Sequence, residues 1–322
     1  MTISQPKPLI SVVVPVHNEV EAVPVFFEAM EALAEHSEEI NLELVFVDDG
    51  STDETVKLIQ TLKSKLLEIK LVELTRNFGK EAALSAGLAV ARGDAVIPMD
   101  ADLQDPPALI PEMVRQWQAG YDVVLAVRKT RSSDSWAKRA SASWFYKIHN
   151  KIAEPAIPEN VGDFRLMDKK VVQVLNQLPE SRRFMKGLFA WVGFKTTTLA
   201  YDRPERAAGE SKFNGWKLWN FALEGLTSFS ISPLRIWTYI GSLVALASFI
   251  FALYIAIKVI VLGVEVPGYA SVVVAVTMLG GLQLVGIGIL GEYLGRAYLE
   301  SKRRPVYLIR KIHVVTRDES SL

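Results

Sequence analysis

The sequence predicts an α/β domain built on a mostly parallel sheet, followed by a pair of membrane-spanning helices. Strand-length apolar runs alternate with helix-length amphipathic stretches from residue 9 to about residue 127, and this alternation is typical of βαβ units. Two later apolar runs lack the polar face that a helix of a soluble protein turns to water. The predicted fold class is therefore α/β, with the membrane segment on the C-terminal side.

Five apolar runs are the predicted strands of the sheet. In chain order they read LISVVVPV, LELVFVDD, IKLVELT, AVIPMD and YDVVLAV. The stretches 20–35 and 55–66 have the length and amphipathic pattern of connecting helices. Because ligands of parallel sheets bind beyond the carboxyl ends of the strands, we expect the functional side chains directly after each run.

Composition narrows the possible chemistry. The 322 residues include 36 Lys and Arg and 36 Asp and Glu, so the formal net charge is zero, which argues against coating nucleic acid through bulk positive charge. The absence of Cys excludes disulfides, thiolate zinc sites and Cys nucleophiles, and the four His are too scattered to predict a metal cluster. Catalysis must therefore rest on carboxylates, cations and the backbone.

The two late apolar runs predict transmembrane helices. Ile236–Leu262 contains one charge, Lys258, and Ala270–Leu290 contains none, while about 20 apolar residues suffice to cross a bilayer. The alternative, two buried helices of a soluble core, is disfavoured because neither run has a polar face. The connector Gly263–Tyr269 has no Lys or Arg, whereas basic residues flank the pair on its other side: Arg235, Arg296, Lys302, Arg303 and Arg304. The positive-inside rule then predicts that both chain ends are cytoplasmic.

These features divide the chain into four segments. We predict a cytoplasmic domain over 1–212, an interfacial amphipathic helix over 213–233, a transmembrane hairpin over 234–295 and a cytoplasmic tail over 296–322. The run Leu9–Val16 has no basic leader and is only strand length, so we expect no signal peptide.

Acidic residues follow the first two predicted strands. Glu19 comes shortly after Pro15, and Asp48 and Asp49 end the second strand directly. Two adjacent acids at the end of an apolar strand are costly to bury unless they meet donors such as base or ribose groups, or a cation. We therefore predict a ligand-binding role for this pair, whereas Asp53 in the same loop is sufficiently explained as a helix cap.

The next two strand ends supply a cation and two carboxylates. Lys80 can meet a diphosphate, and it follows Gly79, which lets the backbone approach a ligand. Asp100 and Asp102, in the run DADLQD, can both reach one hard cation if this segment is a loop. Mg²⁺ binds through few carboxylates plus substrate phosphates, which fits this supply. The alternative is an ordinary acidic turn before the two prolines that follow.

In combination, these motifs resemble glycosyltransferases of family 2 with the GT-A fold, and within them the polyprenyl-phosphate glycosyltransferases. The resemblance rests on VVVPVHNE, VDDGSTD, RNFGKEAAL, MDADLQDPP and GDFRLMD in this order, then on GESKF and the two membrane spans. It runs from about Leu9 to Pro305. Bacterial bactoprenol glucosyltransferases are the group that looks most similar, with dolichol-phosphate mannosyltransferases and the aminoarabinose transferases of lipid A modification as relatives. All of them transfer a sugar from a nucleotide donor to a polyprenyl phosphate, so the resemblance implies this activity.

The resemblance also implies roles for individual residues. Asp163, in the run GDFR, would lie beside the reacting carbon, and a loop with the run RAAGESK would close over the phosphates. The implied catalytic residues are Asp102, Asp163, Arg206 and Lys212. Together with the strand-end residues, the donor site would comprise Pro15, Glu19, Asp48, Asp49, Lys80, Asp100 and Ser211. A metal cofactor, Mg²⁺ or Mn²⁺, would be bound by Asp100, Asp102 and Gln104.

The implied reaction is attack of a lipid phosphate oxygen on the anomeric carbon of a UDP-sugar, with inversion. A metal plus Lys or Arg would stabilise the charge that grows on the leaving diphosphate. The nucleophile is largely ionised near neutral pH, since its second pKa is about 6, so a strong base is less necessary. Asp163 is predicted to orient the nucleophile or support oxocarbenium charge, with proton abstraction or a salt bridge to Arg165 as alternatives. Arg128 and Arg131, just after the fifth strand, are candidates for the acceptor phosphate.

Two segments are predicted to meet the lipid at the membrane surface. Trp136–Ile152 mixes aromatic and basic side chains, and Phe213–Phe229 places Trp and Leu side chains along one helical face. Packing against the cytoplasmic domain as ordinary amphipathic helices is the alternative.

The segment Val306–Val315 is β-prone and lies beyond the second span. A lone strand is unstable in water and needs a partner edge. We predict that it pairs with another subunit of a homo-oligomer, with its own sheet as the alternative.

We therefore predict an integral protein of the bacterial inner membrane. It is predicted to transfer a sugar from a UDP-sugar to undecaprenyl phosphate for cell-envelope glycan modification, and glucose is the first choice for that sugar. The alternatives are the same reaction with GDP-mannose or a UDP-aminoarabinose derivative, or a membrane-tethered nucleotide-sugar binding protein without catalysis. A processive synthase would be expected to carry more membrane spans and a Gln-x-x-Arg-Trp motif. This sequence has neither, so that alternative is disfavoured. We expect no nucleic-acid partner.

Overall fold

A single eight-stranded sheet has helices on both faces, and two long helices precede its last strand in the chain. The computed structural model of the protein describes residues 7–37, 39–128, 161–180, 183, 185–201, 232–262 and 268–315. Apolar side chains pack in two layers, one against each face of the sheet.

The N-terminal half of the sheet has the parallel arrangement that the sequence predicts. Its strands are β1 (Leu9–Val16), β2 (Asn41–Asp48), β3 (Leu67–Leu74) and β4 (Ala95–Pro98). β1 lies between β2 and β4, β3 follows β2, and all of these pairs are parallel. The connecting helices are α1 (Ala22–His36), α2 (Thr55–Thr61) and α3 (Lys80–Val90). α2 is shorter than predicted because Leu62 adopts an extended backbone conformation.

The C-terminal half of the sheet changes direction. Its elements are a 3₁₀ turn (Pro107–Leu109), α4 (Ile110–Gln118), β5 (Val123–Arg128), β6 (Val161–Asp168), α5 (Lys169–Gln177), α6 (Met185–Trp191) and β7 (Thr196–Tyr201). β6 runs antiparallel to its neighbours β4 and β5, whereas β5 and β7 are parallel. The first residues of β6 therefore lie at the sheet edge where β5 ends.

α3 packs closely on the sheet. A Cβ atom on Gly87 would lie 2.2 Å from a methyl carbon of Val13 on β1, so the helix can approach this closely only with glycine at that position. The rest of the buried helix face is mainly Ala, Ser and Leu. Because the helix follows β3 in the chain, Lys80 and Glu81 in its first turn lie at the carboxyl edge of the parallel strands.

A buried charge cluster occupies the opposite edge of the sheet. Glu43 on β2 is fully buried and accepts hydrogen bonds from Ser11, from Lys70 Nζ at 2.9 Å and from Arg92 Nε at 3.0 Å. Burial raises the pKa of Glu43, but the hydrogen bonds from Ser11, Arg92 and Lys70 outweigh burial and hold the pKa below its usual value. Because the carboxylate is fully partnered, we assign this cluster a structural role.

The C-terminal strand pairs with the sheet of its own chain. β8 (Ile309–Val315) runs antiparallel to β3, with Lys311 opposite Glu73, and completes the strand order β7-β5-β6-β4-β1-β2-β3-β8. His313 bonds to Glu73, and Arg310 Nη2 donates to the carbonyl oxygen of Thr75 at 2.9 Å. The structure thus shows the alternative prediction, pairing within one sheet, in place of pairing with another subunit. β8 covers the edge of β3 that would otherwise be open.

Two long helices connect β7 to β8. They are α7 (Ser232–Leu262) and α8 (Tyr269–Ser301), and large apolar side chains such as Leu243 and Leu284 are exposed on them. Among the described residues, one helical stretch, Met278–Ser301, is long and apolar enough to cross a membrane. It overlaps the second predicted span, and the first predicted span is helical as well. The predicted interfacial segments 136–152 and 213–229 lie outside the described residues.

Candidate active site

The loops that follow β1 and β2 are joined by hydrogen bonds at the carboxyl edge of the sheet. The N–H of Asn18 donates to Ser51 Oγ at 2.9 Å, and the N–H of Thr52 donates to Asn18 Oδ1 at 2.8 Å. The N–H of Glu19 donates to Thr55 Oγ1 at 3.0 Å. Asn18 has a φ of 56°, in the left-handed region that Asn tolerates better than most residues. The two predicted donor-binding loops therefore form one surface, and Pro15 lies just before it on β1.

Asp48 and Asp49 are buried, and their carboxylates accept hydrogen bonds from the backbone. The two oxygens of Asp48 accept from the N–H of Ser51 at 3.1 and 3.2 Å, which closes the turn after β2. Asp49 accepts from the N–H of Phe78 at 2.7 Å and of Gly79 at 2.9 Å. Burial raises the pKa of Asp49, and these two donors oppose that effect. These backbone hydrogen bonds offset the desolvation of both carboxylates, so the burial of the two acids does not by itself require a ligand.

Lys80 connects two predicted site carboxylates that come from different strands. Its Nζ lies 2.7 Å from Asp100 Oδ1, after β4, and 2.9 Å from Asp163 Oδ2, on β6. Gly79, with a φ of 98°, turns the chain so that Lys80 begins α3 at this edge. Burial would lower the pKa of Lys80, but the carboxylates of Asp163 and Asp100 outweigh burial and raise it. Three residues predicted from separate motifs are therefore in direct contact.

Asp163 stands at the start of β6, and its ion-pair partner is Lys80. Burial raises the pKa of this carboxyl, but Lys80, Lys186 and Arg165 together lower it to about 2. The Arg165 guanidinium instead donates to the carbonyl oxygens of Gly162 at 2.7 Å and Asp163 at 3.3 Å, so the alternative of an Asp163–Arg165 salt bridge is wrong. The Oδ1 atom of Asp163 is buried and has no hydrogen-bond partner in the described part of the chain.

Glu81 and Lys186 are site residues that the sequence analysis missed. The Glu81 carboxylate accepts the N–H of Met185, at the start of α6. Burial and the charge of Asp163 raise the pKa of Glu81 to about 8, although Lys80 and Lys186 oppose this. In the sequence, an acid in the first turn of a helix is an ordinary partner of the helix dipole, so nothing marked Glu81. Lys186 lies on a helix that was not predicted.

Asp100 and Asp102 lie in a loop after β4, as the predicted metal site requires. Asp102 Oδ1 accepts the N–H of Gln104 at 3.1 Å, across Leu103 with its φ of 55°. No group of three or more His, Asp or Glu side chains suited to a metal ion occurs among the residues that the structure describes. The Asp100 carboxylate already accepts one cation, the Lys80 ammonium. This pair of hard oxygen ligands fits an Mg²⁺ or Mn²⁺ ion that takes further ligands from substrate phosphates.

Arg128 ends β5 on the opposite face of the sheet from Asp163. Its Nε donates to Tyr201 Oη at 3.3 Å, and Tyr201 donates to Asp105 Oδ1 at 2.7 Å. Burial, with the charge of Asp105, raises the pKa of Tyr201 to about 12. Tyr201 belongs to the core layer of α1 and α4, whereas Asp163 shares its face of β6 with Arg165, two residues along the strand. Arg128 is therefore held at the site edge by Tyr201 and does not contact Asp163 Oδ atoms.

A cavity of about 180 Å³ lies between β5, β6 and α6, next to these charged residues. Its walls are largely apolar, and two cations also line it. The residues that define it are Val123, Leu125, Phe189, Phe194, Arg165 and Lys186. The sequence did not predict this cavity, because it predicted neither β6 nor α6.

Four predicted site residues lie outside the described residues. They are Arg131, Arg206, Ser211 and Lys212. Their predicted roles, acceptor binding for Arg131 and closure over the phosphates for the other three, stay predictions.

Comparison with known proteins gives matches over most of the chain. A family model described as Glycosyl transferase family 2 matches residues 11–175. The prophage bactoprenol glucosyl transferase homolog of Escherichia coli K12 is 52% identical over 303 residues, which cover 94% of this chain and 99% of that protein. The bactoprenol glucosyl transferase of Shigella phage SfII is 54% identical over 304 residues, covering 94% of this chain and 98% of that protein.

Solved structures are more distant. The crystal structure of glucosyl-3-phosphoglycerate synthase from Mycobacterium tuberculosis, in complex with Mn²⁺, UDP-glucose and phosphoglyceric acid, is similar over 68% of this chain and 78% of that chain. The TM-score is 0.47 and the sequence identity is 17%, a likeness too distant to bear on the site.

Proposed function

Because the chain belongs to glycosyl transferase family 2, we propose that its site transfers glucose from UDP-glucose to undecaprenyl phosphate at a membrane surface. The protein is a glycosyltransferase that acts on a polyprenyl phosphate, in line with its similarity to bactoprenol glucosyl transferases along almost their whole length. The names of these relatives specify the glucosyl group, and UDP is the carrier that the family resemblance implies.

The contact of Lys80 with both Asp100 and Asp163 is the observation that carries this proposal. Transfer of a sugar from a nucleotide places negative charge on the leaving diphosphate, next to the carbon that is attacked. Lys80 contacts Asp100, in the loop that would hold the diphosphate, and it also contacts Asp163, which would lie beside the reacting carbon. One cation can therefore serve both places, and a sugar bound between the two loops would meet Asp163.

Asp100 and Asp102, with Gln104, are the residues that would hold a divalent cation. When bound there, Mg²⁺ or Mn²⁺ would supply Lewis-acid stabilisation of the diphosphate charge. Both carboxylates belong to one short loop, and its neighbour Lys80 offers a further cation on the same side. The donor roles of Pro15, Glu19, Asp48 and Asp49 remain part of the proposal: they would surround the nucleoside at the joined loops of β1 and β2.

Asp163 serves as an anion rather than as a proton acceptor in this proposal. A carboxyl with a pKa of about 2 is ionised throughout the physiological range and is a weak base. The acceptor phosphate, with a second pKa of about 6, needs no strong base to become a nucleophile. Asp163 would therefore support the positive charge that develops at the anomeric carbon and orient the attacking phosphate, with inversion at that carbon.

The membrane arrangement completes the proposal. α7 and α8 would both cross the bacterial inner membrane, with the sheet and both chain ends on the cytoplasmic side, and the segments 136–152 and 213–229 would lie at its surface. The apolar stretch Met278–Ser301 supports membrane association. A homo-oligomer is also proposed, although β8 is already paired within its own sheet.

A donor panel tests the proposed reaction. The purified full-length protein is offered UDP-glucose, GDP-mannose and a UDP-aminoarabinose derivative together with undecaprenyl phosphate. We expect a glucosyl lipid from UDP-glucose, loss of turnover in EDTA, and recovery with Mg²⁺ or Mn²⁺. Asp102→Asn should lower turnover by at least about 100-fold, because a neutral amide is a poor ligand for a hard cation.

The same assay separates an enzyme from a tethered binding protein. Asp102→Asn should keep the thermal midpoint of the native protein, and Asp53→Asn, at the neighbouring helix start, serves as the matched control with near-native turnover. Full activity in EDTA would remove the metal from the proposal. UDP-glucose binding without any glucosyl lipid would instead favour the binding protein.

A further inference from the structure

Lys186 is a cation near Asp163 and has no role in the proposed reaction as described above. Lys80 is already shared by two carboxylates, and the donors of Arg165 bond to backbone carbonyl oxygens. In the described part of the chain, no carboxylate forms an ion pair with Lys186 within 4 Å, yet its charge acts on both Asp163 and Glu81. A cation in this position can receive an anionic ligand without first giving up a partner.

Apart from Lys186, Arg165 and Thr196, the side chains that line the cavity are apolar. Val123 and Leu125 form the sheet wall, and Phe189 and Phe194 come from α6 and the turn after it. A dry apolar cavity of about 150 Å³ holds a six-carbon ring in a well-studied case. The volume here, about 180 Å³, is therefore enough for one five-carbon isoprene unit. A lysine in the wall of such a cavity fits an amphiphile with a phosphate head.

The position of Lys186 suits the nucleophile better than that of Arg128 does. Lys186, Arg165 and the cavity lie on the face of β6 that also carries Asp163. Arg128 lies on the other face and bonds to Tyr201. A phosphate next to the Asp163 carboxylate is repelled by it and needs a cation on the same face to offset that repulsion.

We propose that Lys186 binds the phosphate of the polyprenyl acceptor and that the cavity beside it receives the first isoprene unit. This inference rests on the proposed function, since it concerns the acceptor of that reaction. It assigns the lipid phosphate a cation on α6, on the side of the sheet away from Tyr201. The apolar walls then favour an isoprenyl phosphate over a soluble phosphate ester.

The test of Lys186 is the dependence of turnover on acceptor concentration in the full-length protein. Lys186→Ala should raise the KM for undecaprenyl phosphate by about 10- to 100-fold, the loss expected for one charge-assisted phosphate contact, while the affinity for UDP measured by titration stays within about twofold of native. Lys186→Arg should restore most of the lost acceptor affinity. Lys195→Ala is the matched control, because Lys195 lies near the cavity but stacks on Tyr121, 4.7 Å from the ring centroid. An unchanged KM, or an equal loss of UDP affinity, would overturn the assignment.

The role of the cavity is tested by a substitution in its wall that reduces its volume. Ala190 lines the cavity on α6, and Ala190→Leu adds three carbon atoms to it. We expect a higher KM for undecaprenyl phosphate with near-native UDP affinity and a near-native thermal midpoint. An unchanged KM with undecaprenyl phosphate would remove the isoprene unit from the cavity, even if Lys186→Ala failed to fold.

Product formation by the native protein distinguishes failure of the proposed function from failure of the acceptor assignment. If it makes no glucosyl lipid from any donor of the panel, the proposed function fails, and the acceptor assignment fails with it. If the native protein makes the lipid and both Lys186→Ala and Ala190→Leu show native acceptor KM values, the proposed function stands and only this inference is wrong.

Discussion

Three acidic and three basic side chains from separate parts of the chain share one small region at the carboxyl edge of the sheet. The acidic side chains are Glu81, Asp100 and Asp163, and the basic side chains are Lys80, Arg165 and Lys186. The pKa values of two of these acids differ widely. Burial raises the pKa of Asp163, but the neighbouring cations lower it to about 2, whereas burial and the charge of Asp163 raise the pKa of Glu81 to about 8. Such a split between two nearby acids gives them different protonation states at neutral pH. Asp163 is ionised there, and Glu81 carries the proton.

The protonated Glu81 predicts a pH dependence of stability. Its pKa is raised from about 4.3 in the unfolded chain, so between pH 4 and 8 the folded state binds more protons than the unfolded state. The free energy of unfolding should therefore fall as pH rises through this window, and the full loss is present above pH 8. Glu81→Gln removes this titration and keeps an acceptor for the N–H of Met185. We expect the thermal midpoint of the variant to gain on that of the native protein from pH 5 to about 8 and to keep that gain at pH 9.

The titration of Asp163 does not affect the thermal midpoints measured between pH 5 and 9. Its lowered pKa contributes stability that is present above about pH 4 and is lost only as pH falls toward 2, outside the window measured. Glu35→Gln, at an exposed position on α1, is the matched control and should follow the native curve. Parallel curves for Glu81→Gln and the native protein from pH 5 to 9 would show that Glu81 does not hold the proton.

Among the elements, β8 has the most direct experimental test. Glu73 on β3 and Lys311 on β8 are directly opposite each other, and Cα atoms of such antiparallel pairs lie about 4.5 to 5.5 Å apart, within reach of a disulfide. The chain has no Cys, so the double variant Glu73→Cys with Lys311→Cys contains only the intended pair. After oxidation we expect a crosslinked chain that runs as a monomer on a denaturing non-reducing gel.

The two single variants are the controls for this crosslink. Neither should give a bond within the chain. Lys311→Cys should keep the thermal midpoint close to native, since Lys311 is exposed, whereas Glu73→Cys should lower it because it loses the bond to His313. A dimer band from the double variant as the main product would mean that β8 pairs with β3 of another copy, as the sequence first suggested.

At the scale of the whole molecule, the long helices join the two outer parts of the sheet. The chain leaves the sheet after β7, at one edge, and returns as β8 at the other edge. α8 has 33 residues, which is about 50 Å of helix against a hydrocarbon core of about 30 Å, so part of it extends beyond a membrane. Its last turns carry the Arg296–Glu292 ion pair, in keeping with an end that reaches water.

Cysteine labelling tests the proposed topology. In the Cys-free chain, Val266→Cys in the connector between α7 and α8 should react with a membrane-impermeant maleimide added to intact spheroplasts, because the connector is proposed to face away from the cytoplasm. Ser320→Cys, near the C-terminus, should react only after the membrane is opened. Protection of Val266→Cys together with labelling of Ser320→Cys would reverse the orientation, and equal protection of both would place the connector on the cytoplasmic side.

The sequence by itself determined the parallel half of the fold. Short apolar runs with polar ends and amphipathic stretches between them are local signals, and β1 to β5 follow them closely. The same local signals located Lys80, Asp100 and Asp102 at strand ends, and the family resemblance added Asp163. Only the tertiary structure decided that these residues meet. β6 inserts antiparallel between β4 and β5, and this long-range pairing brings Asp163 to Lys80.

The remaining decisions also depend on packing between distant segments. Glu81 and Lys186 become site residues because α6 packs beside the start of α3, and neither has a local pattern that marks it. The partner of β8 was open in the sequence because a β-prone segment specifies the need for an edge but not which edge. The free edge of β3 in the same chain settled that choice, since its Glu73 and the carbonyl of Thr75 meet His313 and Arg310.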